Sequence, residues 1–342
     1  MSSYKKIAYS APSNIAFVKY WGKHGRQLPI NPSISMTLDN CRSLFEVEYS
    51  LCEDEKGILE FLFENKPSSK FQQRLQKYLD SIEDIYPLAP KLSLKIKTSN
   101  TFAHSAGIAS SASAMAAFCS CLTYIEAQIK GVSETSFEQL ASSLSRLASG
   151  SACRSLQGPF VQWGRDQKNE GTDNFGIKCL DYHRVFENLQ DTILVVSSAE
   201  KTVSSSAGHA LMEKHPYKDA RIIQAHKNLI DIKQAMKSGN LERFGEILEL
   251  EALSLHGLMM SSSPSYMLLE ADSVKVIERV RLFRKETKKP LYFTIDAGPN
   301  IHLIYPDAIK EDVKTFINES LGKLCEKIIY DQMGYGVIKI ES

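Results

Sequence analysis

The first hundred positions alternate between short apolar blocks and polar breaks, and the rest of the chain is dominated by helical spacing. Short apolar pieces at 7–9 and 15–21 flank the turn-like Ser10-Ala-Pro-Ser-Asn14, and 33–38, 44–50 and 58–63 read as strands. From 68 to 85 the period changes, putting Phe71, Leu75, Tyr78, Leu79, Ile82 and Ile85 on one face of a helix. Residues 92–100 alternate again as a strand. A helix from Ala109 to about Lys130 is apolar almost all round, which predicts burial, and a second helix at 136–148 stops before Gly150. Strand signals at 158–164 and 177–180 bracket a polar loop, Asp166–Asn174, and a strong strand lies at 192–197. Helices follow at 217–237, 240–256 and 272–286, then strands at 291–297 and 301–305, a helix at 307–326, and the closing YGVIKIES. Strand-rich halves with long helices and no regular βαβ repeat predict an α+β fold rather than a doubly wound sheet. A chain of 342 residues is long enough for about two domains, and their boundary is expected near 180–190, dividing the chain into 1–185 and 186–342.

Composition narrows the function classes. Hydrophobic content of 43%, charged content of 24% and a net charge of +1 are those of an ordinary soluble globular protein. Without a strong overall field, neither nucleic acid nor an anionic membrane is expected as partner, although a local basic pocket for a small anion is compatible with these numbers. The seven cysteines, at 41, 52, 119, 121, 153, 179 and 325, form no CxxC pair and no His/Cys metal spacing, as in a reducing compartment. The amino-terminal stretch has no apolar run of signal-peptide length, and no segment reaches the ~18 apolar residues of a membrane span. The expected location is the cytoplasm.

Four clusters carry candidate chemistry. In Ser105-Ala-Gly-Ile-Ala-Ser-Ser-Ala-Ser-Ala-Met115, Gly107 allows a close backbone approach, and Ser110, Ser111 and Ser113 stand at the start of a helix. That is either a polyphosphate cradle, using the unpaired N–H groups and the dipole, or a well-capped helix start. It lacks the lysine of a Walker loop. In Ala11-Pro-Ser-Asn-Ile-Ala-Phe-Val-Lys-Tyr-Trp-Gly-Lys23, Lys19 and Lys23 sit in a segment apolar enough to be buried. A buried lysine is costly unless it meets an anion; the alternative is two surface lysines flanking an aromatic pair. In Ser149-Gly-Ser-Ala-Cys-Arg-Ser155, small side chains clear space around Arg154, whose fork suits a carboxylate or phosphate. In Asp296-Ala-Gly-Pro-Asn300, an aspartate ends an apolar strand and is either a base or an Asx-turn cap. Ser204-Ser-Ser206 is a further hydroxyl cluster, again a phosphate contact or a cap.

Taken in order and spacing, over about residues 8–305, these motifs resemble the diphosphomevalonate decarboxylase family of the GHMP kinase superfamily. The resemblance implies an N-terminal domain like ribosomal protein S5 domain 2, a ferredoxin-like C-terminal domain, and a site in the cleft between them. It also implies ATP and Mg²⁺, with the metal between phosphate oxygens and few or no protein ligands, a phosphorylated mevalonate as substrate, and a homodimer. The implied reaction phosphorylates the tertiary 3-hydroxyl of (R)-5-diphosphomevalonate and then releases phosphate and CO₂ to give isopentenyl diphosphate and ADP. On this resemblance Asp296, Lys19 and Arg154 are catalytic. Tyr20, Trp21, Gly22, Lys23, Arg74, Ser149, Gly150, Ser151, Ala152, Cys153, Ser205 and Ser206 bind substrate, and Gly107, Ser110, Ser111 and Ser113 take the ATP phosphates. The chain departs from the family pattern in the short, less acidic loop after Lys23, in Thr101-Phe-Ala-His-Ser105, and at Ser206. Decarboxylation of 5-phosphomevalonate, or a 3-kinase that keeps the carboxylate, are the alternatives on the same fold; a ligand-binding relative without turnover is a third class.

Overall fold

The computed structural model describes residues 4–51, 56–102, 108–133, 137–199 and 203–341. Its architecture is α+β: two largely antiparallel sheets, each covered by helices. The first sheet starts from β1 (Lys5–Val18) and β4 (Ser33–Leu51), between which a small pair, β2 (Lys23–His24) and β3 (Leu28–Pro29), forms a separate ribbon. It continues through β5 (Gly57–Phe63), β6 (Lys66–Pro67), β7 (Leu92–Asn100), β8 (Phe160–Trp163) and β9 (Ile177–Lys178). Among the described residues only the β5–β7 pair is parallel. Three helices, α1 (Ser69–Ser81), α2 (Ser110–Lys130) and α3 (Glu138–Ala148), close one face over Phe45, Val47, Leu94, Phe118, Leu122 and Leu144.

The second sheet has the order β11 (Tyr292–Ile295), β12 (Ile301–Tyr305), β10 (Gln190–Val195), β13 (Lys327–Gln332). Around it lie α4 (Ser205–Leu211), α5 (Lys218–Ser238), α6 (Leu241–Met260), α7 (Ala271–Thr287) and α8 (Lys310–Phe316). The last strand, β14 (Ile338–Ile340), returns to pair antiparallel with β1 of the first sheet. One apolar cluster joins the halves, with Ile15, Phe17 and Met36 against Ile193, Ile247 and Ile304. That shared core packs the end of β1 against the second half of the chain, Tyr292 of β11 included.

Several local expectations change. The turn expected at Ser10–Asn14 is the middle of one 14-residue strand, whose register shifts between Pro12 and Asn14. Proline has no N–H to give the ladder, and the irregularity absorbs that loss. The strands expected at 33–38 and 44–50 are one strand, because the Asp331 carboxylate accepts the N–H groups of Asp39, Asn40 and Cys41 at 3.0, 2.8 and 2.7 Å across the polar middle. The helix expected at 307–326 breaks into 3₁₀, α and π turns. β13 went unanticipated because its pairing partner, β10, lies 130 residues or more away in sequence.

Candidate active site

The end of β1 carries the first part of the site. Lys19 follows Val18 directly and is turned inward, its side chain only 2% exposed. Its backbone is gripped by Asn31 and, from the second half of the chain, by Glu251 and Arg221. The Lys19 N–H donates to Glu251 Oε2 at 2.8 Å, and Arg221 Nη2 and Asn31 Nδ2 donate to the Lys19 carbonyl at 3.0 and 2.9 Å. Glu251, on α6, is itself paired with Arg221 of α5 at 2.6 Å and accepts from Asn228 at 2.6 Å. Burial alone would raise the Glu251 carboxyl; Arg221 and these hydrogen bonds reverse that and hold it low.

Lys19 Nζ donates to Ala16 O and to Asp296 Oδ1, both at 2.7 Å. Asp296 follows β11, whose apolar run Tyr292–Ile295 ends there, and its carboxylate keeps 31% of its side chain exposed to the cavity. The loop after it is pinned. Gly298 N–H donates to Asp296 O at 2.7 Å, Ser273 Oγ donates to Pro299 O at 2.7 Å, and Asn300 Oδ1 accepts from Ser197 at 3.1 Å. Burial would raise the Asp296 carboxyl, but Lys19, helped by His302 and Arg154, holds it below the ordinary carboxylate value. Burial pushes Lys19 down, opposed by Asp296 and Glu251. The pair is an ionised base facing a cavity, backed by a buried cation.

The third part comes from the 3₁₀ turn Gly150–Arg154 that follows α3. Arg154 is buried, its Nε bound to Ser35 Oγ at 3.0 Å and its Nη1 to Ser33 Oγ. Nη2 has no partner among the described residues, and Arg154 lines the cavity with Asp296. Gly150 is needed for closeness: a Cβ there would lie 2.8 Å from the Tyr20 hydroxyl and 2.9 Å from Trp163. Ala152 and Cys153 are buried behind this turn and do not line the cavity.

These groups share one cavity of about 520 Å³ with Tyr20, Trp21, Lys23, Arg74, Ser149 and Ser151. Gly22 lies beside it at φ +93°, where a Cβ would strike Ile30. Lys23 Nζ donates to Gln27 at 2.7 Å at the rim. Of the hydroxyls after β10, Ser204 caps α4 by accepting from Ala207 N–H, and Ser204, Ser205 and Ser206 all line the cavity.

The nucleotide-cradle expectation divides in the same way. Ser110 and Ser111 line the cavity at the start of α2, and among the described residues no side chain caps that 21-residue helix. Ala112 N–H is bonded to Ala109 O at 2.8 Å, which leaves the Ser110 and Ser111 N–H groups and the helix dipole as the kind of donor set a polyphosphate needs. Ser113 instead points into the sheet, bonded to Ser43 Oγ at 2.7 Å, and does not reach the cavity. Gly107 lies outside the described residues. A second, apolar cavity of about 130 Å³, walled by Phe45, Phe61, Phe63, Phe71, Tyr78 and Met115, opens beside Ser110, Ser111 and Arg74. Among the described residues no group of three or more His, Cys, Asp or Glu side chains could hold a metal. Phosphate oxygens with one carboxylate nearby remain compatible with Mg²⁺, which keeps waters and uses few protein ligands.

Sequence reasoning missed Glu251, Arg221, Asn228 and His209. Glu251 did leave a signal, since it sits on the face of α6 that carries Leu248, Ala252 and Leu255.

Residues 11–175 match the family model of the diphosphomevalonate decarboxylase-like N-terminal domain, and 192–333 that of the mevalonate 5-diphosphate decarboxylase C-terminal domain. A diphosphomevalonate decarboxylase of Candida albicans is 31% identical over 329 residues, covering 92% of this chain and 88% of its own. The mevalonate diphosphate decarboxylase of Staphylococcus aureus superposes with a TM-score of 0.86 at 26% identity over 99% of each chain. MDDEF, solved in complex with MVAPP, AMPPCP and magnesium, superposes at 0.83 with 27% identity over 99% of this chain and 100% of its own. With both halves of the family matched in order, and an Asp–Lys pair and an arginine on one cavity, the chain belongs to the diphosphomevalonate decarboxylase family.

Proposed function

We propose that this protein catalyses the ATP-dependent decarboxylation of (R)-5-diphosphomevalonate to isopentenyl diphosphate, ADP, phosphate and CO₂. The observation that carries the reading is the 2.7 Å Lys19–Asp296 ion pair opening on the same cavity as Arg154 and the uncapped start of α2. The unit of residues 1–185 brings the cations and Ser110, Ser111, Ser149 and Ser151, the unit of 186–342 brings Asp296, Ser205 and Ser206, and the reaction runs between them. The working assembly is a homodimer and the location cytoplasmic, both resting on the family relationship.

A tertiary alcohol is a poor nucleophile at neutral pH. Asp296, kept ionised by Lys19, orients the substrate's 3-hydroxyl and accepts its proton as the oxygen forms its bond to phosphorus. ATP, with Mg²⁺ to offset its charge, would supply the phosphoryl group: the γ-phosphorus would leave the β–γ bridging oxygen, ADP departing with that electron pair, and the phosphorylated hydroxyl would become a leaving group. Ser110 and Ser111 with the α2 N-terminus hold the polyphosphate, and the aromatic-walled cavity beside them suits the base of the nucleotide. When the C3–O bond breaks, phosphate leaves with the electron pair. The C1–C2 bond then releases CO₂, and its electrons form the C2–C3 double bond. Arg154 Nη2 grips the C1 carboxylate until that moment, while Ser33 and Ser35 keep the guanidinium from following it. Tyr20, Trp21, Lys23, Ser149, Ser151, Ser205 and Ser206 surround the remaining substrate, with Arg74 between the two cavities.

Mevalonate, its 5-phosphate and its 5-diphosphate, each offered with ATP and Mg²⁺ in a coupled ADP assay with CO₂ detection, test this. The 5-diphosphate is expected to be used best, with CO₂ equal to ADP. ADP release without CO₂, or preference for an unphosphorylated substrate, would overturn the reading.

A further inference from the structure

His209 belongs to none of the motifs discussed above, yet it lines the large cavity. It sits on α4 with its ring against both Tyr20 and Trp21, the centroids 4.4 and 4.5 Å away and each plane tilted by 36°. The helix comes close enough for this because residue 208 is glycine: a Cβ there would lie 2.5 Å from Trp21 and from the Tyr266 hydroxyl. Two aromatic neighbours leave the imidazole little freedom to turn. Its Nδ1 accepts the Gly22 N–H at 2.8 Å. A backbone N–H can only donate, so Nδ1 carries the lone pair and the proton must sit on Nε2. Nε2 has no protein partner among the described residues and is not among the buried unpaired atoms. The site thus contains an oriented N–H donor with nothing among the described residues to receive it.

We propose that His209 is a recognition residue for the phosphate end of the substrate, its Nε2–H donating to a phosphate oxygen held beside Lys23. The proposal rests on the cavity taking a phosphorylated mevalonate. Burial, with Lys23 acting in the same direction, holds the imidazole at about 3, so it stays neutral and keeps one fixed tautomer at working pH. A neutral donor adds a directed hydrogen bond without placing a second cation against Lys23. The same ring ties α4 to the Tyr20–Gly22 turn, so one side chain both shapes the phosphate pocket and contributes to it.

Two substitutions separate these roles. In His209→Asn, the carboxamide oxygen replaces Nδ1 and still accepts from Gly22, but the side chain is too short to bring a donor to the cavity. His209→Gln restores a donor near the position of Nε2. Pyrophosphate binding is measured by calorimetry on the intact protein, alongside steady-state kinetics with 5-diphosphomevalonate. The Asn variant is expected to lose about tenfold or more in pyrophosphate affinity, as for a lost hydrogen bond to a charged group. Its KM for 5-diphosphomevalonate should rise in parallel, with kcat and the KM for ATP little changed, and Gln should recover most of the loss. Wild-type pyrophosphate affinity in the Asn variant, equal losses in both variants, or no pyrophosphate binding by the wild type would each overturn the proposal. A wild type that binds pyrophosphate through His209 but does not turn over 5-diphosphomevalonate would uphold this assignment and refute the proposed reaction.

Discussion

Replacing Lys19 by methionine tests the central electrostatic arrangement most directly. The substitution keeps the length and apolar stem of the side chain and deletes the charge that sits 2.7 Å from Asp296 Oδ1. At an effective dielectric constant of about 20, two unit charges at that separation attract by roughly 6 kcal/mol before desolvation is subtracted. Burial of both groups opposes most of that, and an opposite charge at such range ordinarily moves a carboxyl by about 1–3 pH units. The sign is unambiguous. With Lys19 present the Asp296 carboxyl lies below its ordinary value; with it gone, burial dominates and pushes the group up, leaving only the weaker pulls of His302 and Arg154. The acidic limb of the kcat/KM profile should therefore move upward by about 1–3 pH units. At neutral pH kcat should fall about 10- to 100-fold, the worth of one charge-assisted hydrogen bond. Lys19→Arg should keep the limb low even if misfit of the larger head lowers the rate. Initial rates from about pH 3 to pH 9 with saturating ATP provide the measurement. A methionine variant whose acidic limb stays where the wild type has it would refute Asp296 as the group whose ionisation governs turnover.

Asp296→Asn should retain the fold and nucleotide binding while losing about 10³-fold in kcat, the scale of an essential base; turnover within tenfold of wild type would remove that role. Gly150→Ala places a methyl group 2.8 Å from the Tyr20 hydroxyl and 2.9 Å from Trp163, so it should raise the substrate KM and cost about 1–3 kcal/mol of stability. Thermal melting and kinetics on the same preparation read both effects, and an unchanged KM would mean that Tyr20 yields without disturbing the site.

Long periodic elements were legible from local pattern alone. The span predicted for the buried helix, Ala109 to about Lys130, agrees with Ser110–Lys130, and the α5–α7 helices and β7 fall close to their expected limits. Local pattern failed where a distant group decided the backbone. Asp331 satisfies the polar middle of β4 from nearly 300 residues away, which no window around Asp39–Cys41 contains. The breakup of 307–326 into mixed helical turns was likewise invisible to periodicity.

Residue chemistry marked Lys19, Arg154 and Asp296 as candidates, each a charged group set among apolar or small neighbours that cannot solvate it, and the family resemblance assigned them their roles. Only tertiary structure decided what each one meets. Lys19 and Asp296 are 277 positions apart, and their contact exists because a shared core fixes β1 against the second sheet while Glu251 and Arg221 clamp the lysine backbone. The same holds for the serines. Sequence spacing cannot tell Ser111, open to the cavity, from Ser113, turned into the sheet, since that depends on where β4 supplies Ser43 as a partner. A side chain's chemical type is a local property, whereas its partner, its desolvation and hence its charge state are set by the long-range packing of the chain.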